Sequence, residues 1–273
     1  MTLTLTLRTE VMTRLDASPL IPERLRGLTA SEVAAVQLRC GRSVCAAGEL
    51  FEISGTAGEE VVLAGDLRRV DRIGLGMGLG RLLVEGSCGD QAGAAMSGGS
   101  LLVRGGVGAW AGAGLAGGLV RIAGDAGARL GAAYPGARVG MTGGEIIVSG
   151  NAGEEAGAGM RRGLVVIGGA ASSGAGLRML AGTVIALRGI GGEAGIGNRR
   201  GSLVSGARVR PLSSYMFAAR FRPPALGLQL RRARALGLTV DDLFFRAVWA
   251  RWSGDRTELG RGEILIFDEE ESE

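Results

Sequence analysis

Eight short stretches of the chain carry the same arrangement of apolar and polar positions. Two residues ahead of a glycine stand Ile53, Val84, Val103, Ile122, Val148, Ile167, Leu187 and Val204. Four ahead of it stand Phe51, Leu82, Leu101, Val120, Ile146, Val165 and Ile185, with small or polar residues between the columns. A spacing of two puts both columns on one side of an extended chain, so each stretch is predicted to be a strand with one buried face. A third apolar column lies ten residues after the glycine. It holds Met96, Leu115, Met160 and Met179, and Met141 joins it once an insertion near "AAYPGAR" is set aside.

The glycines repeat with the same period. Gly86-Gly89-Gly93, Gly105-Gly108-Gly112, Gly124-Gly127-Gly131 and Gly150-Gly153-Gly157 all read G-x-x-G-x-x-x-G. A fifth copy holds Gly169, Ser172 and Gly176, and a worn sixth holds Gly189, Gly192 and Ile196. Successive copies open 19, 19, 26, 19 and 20 residues apart. One strand of about five residues cannot bury its apolar face alone, but stacked repeats close the columns into a continuous interior. The predicted fold class is therefore all-β: a right-handed parallel β-helix, a single-stranded solenoid of about seven coils advancing about 4.8 Å each, with small α/β caps at both ends. Glycine then serves corners that need positive φ and a narrow coil with no room for Cβ. The stretch "GAGLAG" (Gly112 to Gly117) matches G-x-G-x-x-G, but a dinucleotide site needs a helix after it and here another strand is expected.

Three segments follow from this reading: an N-terminal cap over 1–48, the glycine-repeat coil over 49–206, and a basic segment, helix and closing strand over 207–273. The start, "MTLTLTLRTE", lacks the pattern of a signal peptide and reads as a strand with Leu3, Leu5 and Leu7 on one face. "LTASEVAAVQL" (Leu28 to Leu38) has helical spacing and a Thr29–Glu32 capping box, and is expected to help close one end of the coil. Near the other end, "TVDDLFFRAVWARW" reads as a helix with Val240, Leu243, Phe244, Ala247 and Val248 on one stripe. Phe245 and Trp249 project from another flank, near Trp252. They either pack onto the coil or form a docking ridge for a partner. The acidic end "FDEEESE" is expected to fray.

Composition narrows the function. The 273 residues are 46% hydrophobic, contain no histidine, and draw all 31 basic charges from arginine. Catalysis that depends on histidine is excluded, and the coil's acids (Asp90, Asp125, Glu154 and Glu155) do not share one repeat position and do not obviously converge. No catalytic, cofactor-binding or metal-ligating residues are assigned. Three cysteines (Cys40, Cys45 and Cys88) without a secretory pattern read as reduced thiols of a cytoplasmic protein. No apolar run reaches the roughly 18 to 20 residues a bilayer requires, so no membrane contact is expected. Net charge is only +4 and the arginines follow no nucleic-acid-binding motif, so no nucleic-acid partner is expected either. Two "RRG" triplets place Arg161 and Arg162, and then Arg199 and Arg200, at corresponding corners two coils apart. These four arginines are either a solvated edge or a docking strip for carboxylates.

The glycine-repeat coils resemble a domain shared by the C-terminal part of the glutamate synthase large subunit and the C subunit of formylmethanofuran dehydrogenase. The flanks are more specific. "LTASEVAAVQL" and "GELFEISG" before the coil, and "RWSGDRTELGRGEILI" after it, are similar to that C subunit and its counterpart in the bacterial formyltransferase/hydrolase complex. The resemblance covers almost the whole chain. It implies a non-catalytic structural subunit, with the chemistry on partner subunits A, B and D. That chemistry moves a formyl group from formyl-tetrahydromethanopterin to a methanofuran-type carrier and releases formate, with no cofactor in this chain. The carrier's acidic tail is a further candidate ligand for the arginine strip. The molybdenum or tungsten dehydrogenase version of the complex, and a free-standing β-helix interaction protein, are the alternatives. The arginine-only, GC-biased composition favours the bacterial hydrolytic complex.

Overall fold

The computed structural model describes residues 2–8 and 11–268. The chain begins with β1 (Thr2–Leu7) and β2 (Leu15–Asp16), two short helices α1 (Pro22–Leu25) and α2 (Ala30–Ala34), and a hairpin of β3 (Gln37–Cys40) and β4 (Ser43–Ala46). Helix α3 (Ala47–Leu50) leads into β5 (Phe51–Gly55), then β6 (Glu60–Ala64) and β7 (Val70–Asp71). Seven further strands mark the repeats: β8 (Arg81–Glu85), β9 (Ser100–Val103), β10 (Leu119–Ile122), β11 (Glu145–Val148), β12 (Leu164–Ile167), β13 (Thr183–Ala186) and β14 (Ser202–Ser205). The chain ends through β15 (Met216–Phe221), α4 (Pro224–Ala235), α5 (Leu243–Arg246), β16 (Val248–Gly254) and β17 (Gly262–Asp268). The result is a mostly-strand, all-β fold with few helices.

A 13-stranded sheet runs β15-β16-β17-β14-β13-β12-β11-β10-β9-β8-β6-β1-β5, and a four-stranded one runs β4-β3-β2-β7. From β1 to β17 every neighbour in the large sheet is parallel and in register. One inward column runs Leu5, Leu63, Val84, Val103, Ile122, Val148, Ile167 and Ala186, all fully buried. A second line of single parallel bridges joins Leu67, Cys88, Val107, Ala126, Ala152, Ala171 and Ile190. The methionine column (Met96, Met141, Met160 and Met179, with Leu115) packs into the same core as both lines.

The glycine motif has a steric cause at each place. At the first two places the backbones of stacked repeats touch: a Cβ on Gly124 would lie 2.7 Å from the Gly106 nitrogen, and one on Gly127 2.7 Å from the Ala109 nitrogen. At the third place Gly157 has φ +72°, and a Cβ there would meet Val184 Cγ2 at 2.6 Å. Larger residues are excluded by neighbouring backbone and core rather than by any ligand.

Several expectations need correction. Phe51 and Ile53 do not form a rung of the parallel stack, because β5 runs antiparallel to β1 at the sheet's end. The rungs before β8 are β6, which keeps only the opening Gly65 of the motif, and β1, which keeps none of it. The last two repeats sit one residue away from the expected register. The Arg188 N–H donates to the Gly169 carbonyl at 3.0 Å, so Arg188 rather than Gly189 continues the glycine column. Ala186 and Ser205 therefore face inward, and Ile185, Leu187 and Val204 face the opposite side, as a one-residue slip requires.

That opposite side is not polar either. Ile147, Val166, Ile185 and Val204 are buried beneath α4, whose Leu226, Leu230 and Ala233 recur at helical spacing. Pro224 opens α4, and Gly237 at φ +87° follows its end. The Arg232 guanidinium clamps the helix to the Glu145 carboxylate through Nε (3.0 Å) and Nη2 (2.7 Å). The helix expected over 239–252 is only α5. Residues 248–254 form a strand instead, because β17 offers them an antiparallel partner along their whole length. In the N-terminal segment the Thr29–Glu32 capping box forms as read, but α2 stops at Ala34 and Leu38 lies in β3. The expected fraying of the acidic end concerns mainly Glu269–Glu273, which lie outside the described residues. Among the described residues no helix is long and apolar enough to cross a membrane.

Candidate interaction surface

The two arginine pairs occupy one edge of the stack. Backbone N–H groups of Arg161, Leu180 and Arg199 donate to Met141, Met160 and Met179 carbonyls at 2.8, 2.7 and 2.9 Å. These three residues therefore hold the same place in consecutive repeats. Two strand spacings separate Arg161 from Arg199, about 10 Å. Each arginine pair follows a buried residue of the methionine column, so the chain turns outward there, and all four side chains are exposed. Arg199 Nε lies 3.0 Å from Glu258 Oε2. Among the described residues Arg161, Arg162 and Arg200 have no acidic partner.

Beside this edge the methionine column ends in a polar side chain, Asn198, which is fully buried. Its Oδ1 accepts from the Gly201 N–H at 2.7 Å and its Nδ2 donates to the Gly201 carbonyl at 2.9 Å. The Tyr215 hydroxyl donates to the Gly195 carbonyl at 2.9 Å, and burial pushes its pKa up to about 12. These bonds close the core where the repeat stops.

The two rings of the candidate docking ridge part company. Trp249 is 1% exposed and packs against Phe244 and Phe267, at centroid distances of 6.0 and 5.7 Å. The β16 pairing turns it under α4 and α5, so it is a core ring. Phe245 is partly exposed and lies beneath the Arg234 guanidinium, 4.4 Å from its centroid. Trp252 packs edge-on against exposed Phe217 of β15 at 5.9 Å.

A further row of corner residues goes beyond what the sequence reading picks out. Five residues after the opening glycines stand Gln91, Trp110, Arg129 and Glu155, all with positive φ between 58° and 64°. Trp110 stacks on Tyr134 of the insertion at 5.1 Å, Arg129 lies 4.7 Å over the Trp110 ring, and Arg129 Nε pairs with Glu155 Oε2 at 2.9 Å. The common offset is its signal in the sequence. These groups satisfy one another.

The acids have local roles. Asp90 Oδ1 accepts from the Ala109 N–H at 2.9 Å and Asp125 Oδ1 from the Asn151 N–H at 2.7 Å, each tying one repeat to the next. Glu154 is exposed, and it does not converge with the others. Cys40 and Cys45 are partly buried and Cys88 is buried, and all three are free thiols. Burial, with the nearby Asp71 and Asp90 charges, pushes the Cys88 thiol up to about 12. Among the described residues no group of three or more His, Cys, Asp or Glu side chains could hold a metal ion.

No protein-family model matches the chain. Over 88 residues it is 34% identical to the C subunit of the formyltransferase/hydrolase complex Fhc of Methylorubrum extorquens, an alignment covering 32% of this chain. The matched stretch spans about a third (33%) of that curated relative's length. A crystal structure extends the likeness to nearly everything. Against the formyltransferase/hydrolase complex (FhcABCD) of Methylorubrum extorquens, solved with methylofuran, the TM-score is 0.90 at 33% identity, covering 96% of this chain and 98% of that one. With the same fold and a third of the residues shared from end to end, the chain belongs to the family of the C subunits of formyltransferase/hydrolase complexes.

Proposed function

We propose that the chain is a non-catalytic structural subunit of a formyltransferase/hydrolase complex. The complex moves a formyl group from formyl-tetrahydromethanopterin to a methanofuran-type carrier and releases formate. Subunits A, B and D are its partners, and the reacting groups sit on them. The observation that carries this reading is the end-to-end match, at a TM-score of 0.90, to a chain of a complex solved with methylofuran. The interior supports it, since the repeated glycines and the acids Asp90 and Asp125 serve packing and hydrogen bonding between successive repeats.

In this reading the repeats wind as a right-handed parallel β-helix over 49–206, capped by 1–48 and by 207–273. The parallel register of β6 to β14 and the second line of bridges support such a winding. Arg161, Arg162, Arg199 and Arg200 form a strip for carboxylates of a neighbouring subunit or of the carrier's acidic tail. Guanidinium groups grip carboxylates with two parallel hydrogen bonds, and among the described residues three of the four have no acidic partner. Phe245, with Arg234 above it, contributes to contact at the far side of the chain, where Trp249 acts only by supporting it from within.

Assays of formyl transfer and formate release test the proposal. The isolated chain is expected to turn over no formyl carrier, and the co-expressed assembly of all four subunits is expected to do so. Turnover by the isolated chain would overturn the non-catalytic assignment. Full activity and normal assembly of A, B and D without this chain would overturn the structural role.

A further inference from the structure

β15 is the edge strand of the 13-stranded sheet, and all six of its residues are exposed. Met216 is 53% exposed, Phe217 47% and Phe221 36%, and the surface continues through Pro224 and Ala225 to Leu228, at 64%. On one side β15 pairs with β16. Among the described residues no hydrogen bond joins the backbones of Met216, Phe217, Ala218, Ala219 and Phe221 to another strand on the other side. An edge this apolar invites pairing with another chain, and soluble proteins usually cover or charge such edges. The only charges from Met216 to Leu228 are Arg220 and Arg222. Arg220 is paired with Asp268, whereas Arg222 is exposed and has no acidic partner among the described residues.

We infer that the free edge of β15, with the exposed start of α4, docks an extended acidic segment of a partner polypeptide, which adds to the sheet as a further strand. The inference rests on the proposed assembly with other subunits and names the surface used. Methionine, aromatic and arginine side chains are the types enriched where protein interfaces form, and backbone pairing along an edge supplies affinity while side chains supply selectivity. Charge chooses the partner. A second copy docked by its own β15 would bring no carboxylate to Arg222, because residues 216–228 hold no acid and only add further arginines. A segment carrying Asp or Glu beside apolar residues matches both the rings and the Arg222 guanidinium.

The test uses the complex formed by co-expression, with this chain as wild type, as Phe217→Asp/Phe221→Asp and as Arg222→Glu. Met12→Asp serves as a control at an exposed apolar site elsewhere. Circular dichroism and thermal unfolding establish that each variant is folded. Hydrogen exchange of the Met216–Phe221 amides in the wild type, free and assembled, reports edge pairing directly. The inference expects those amides to be protected on assembly. It also expects both edge variants to bind the partner subunits roughly tenfold or more weakly, with the control unchanged. Normal assembly of both folded edge variants, or unprotected β15 amides in an assembled complex, would overturn the edge while leaving the assembly intact. Failure of the wild type to assemble at all would instead overturn the underlying reading. Dimers of the chain held by β15, or protection that needs only residues 269–273 of the same chain, would each assign the edge a different occupant and overturn the inference.

Discussion

Ile122 lies between Val103 and Val148 in the inward column, with no exposed surface, and every neighbour across the strands is aliphatic. An aspartate there has neither water nor a cation to meet, so Ile122→Asp is expected to cost about 3–5 kcal/mol and to yield insoluble chain. The measurement is soluble yield and, for any soluble fraction, the denaturation midpoint. Cys88 makes the opposite case. Ala126, Ala152 and Ala171 hold its place in later repeats, so Cys88→Ala is expected to cost about 1 kcal/mol or less at neutral pH. Its thiol is raised from 9.0 to about 12. The folded state therefore holds this proton more tightly than the unfolded state. The associated stability is complete below pH 9.0 and is lost as pH rises toward about 12. Urea midpoints on both sides of pH 9.0 are expected to fall more steeply for the wild type than for Cys88→Ala. Parallel slopes would show that the thiol is not desolvated.

At the scale of elements, the arginine edge depends on repeat geometry that the sequence itself displays. Among the described residues, reversing Arg161, Arg162, Arg199 and Arg200 to glutamate removes one ion pair, an exposed one, so the fold is expected to persist. Assembly is expected to weaken, or the apparent KM for the carrier to rise, by roughly tenfold at low salt, and the wild-type interaction is expected to weaken as salt increases. Normal assembly and turnover by the reversed chain would leave the strip as a solvated edge. The strip is legible because the repeats between Gly86 and Gly176 have clear glycine lattices, which set the register. Where Arg188 replaces the glycine, the pattern locks onto Gly189, and Ile185, Leu187 and Val204 are assigned to the wrong face. β1 and β6 escape notice as rungs because no glycine follows β1 at the opening place, and Gly65, which does follow β6, has Arg68 and Arg72 where the motif needs glycines. The run Val-Trp-Ala-Arg-Trp fits a helix or a strand, and only the distant β17 decides between them. Pairing across the chain also explains Trp249, whose burial depends on α4 and α5 rather than on its own neighbours in sequence.

For the molecule as a whole, stacked repeats make an interior that extends along one direction and exposes two ends. Each end is finished by antiparallel strands, β5 at one and β16 with β15 at the other. β5 ends at Gly55 in a left-handed backbone conformation (φ +84°), whereas β15 presents Met216, Phe217 and Phe221 to solvent. A chain that is satisfied inside and open at one edge is built to be held by others, and its family is named for a complex. The most direct measurement is to purify the untagged protein from its host under gentle, low-salt conditions, then determine its native mass and the identity of what elutes with it. The account predicts one large species in which this chain is accompanied by subunits A, B and D, with formyl transfer and formate release in the same fractions. A species of 27.8 kDa eluting alone, with the formyl-transferring activity elsewhere, would contradict it.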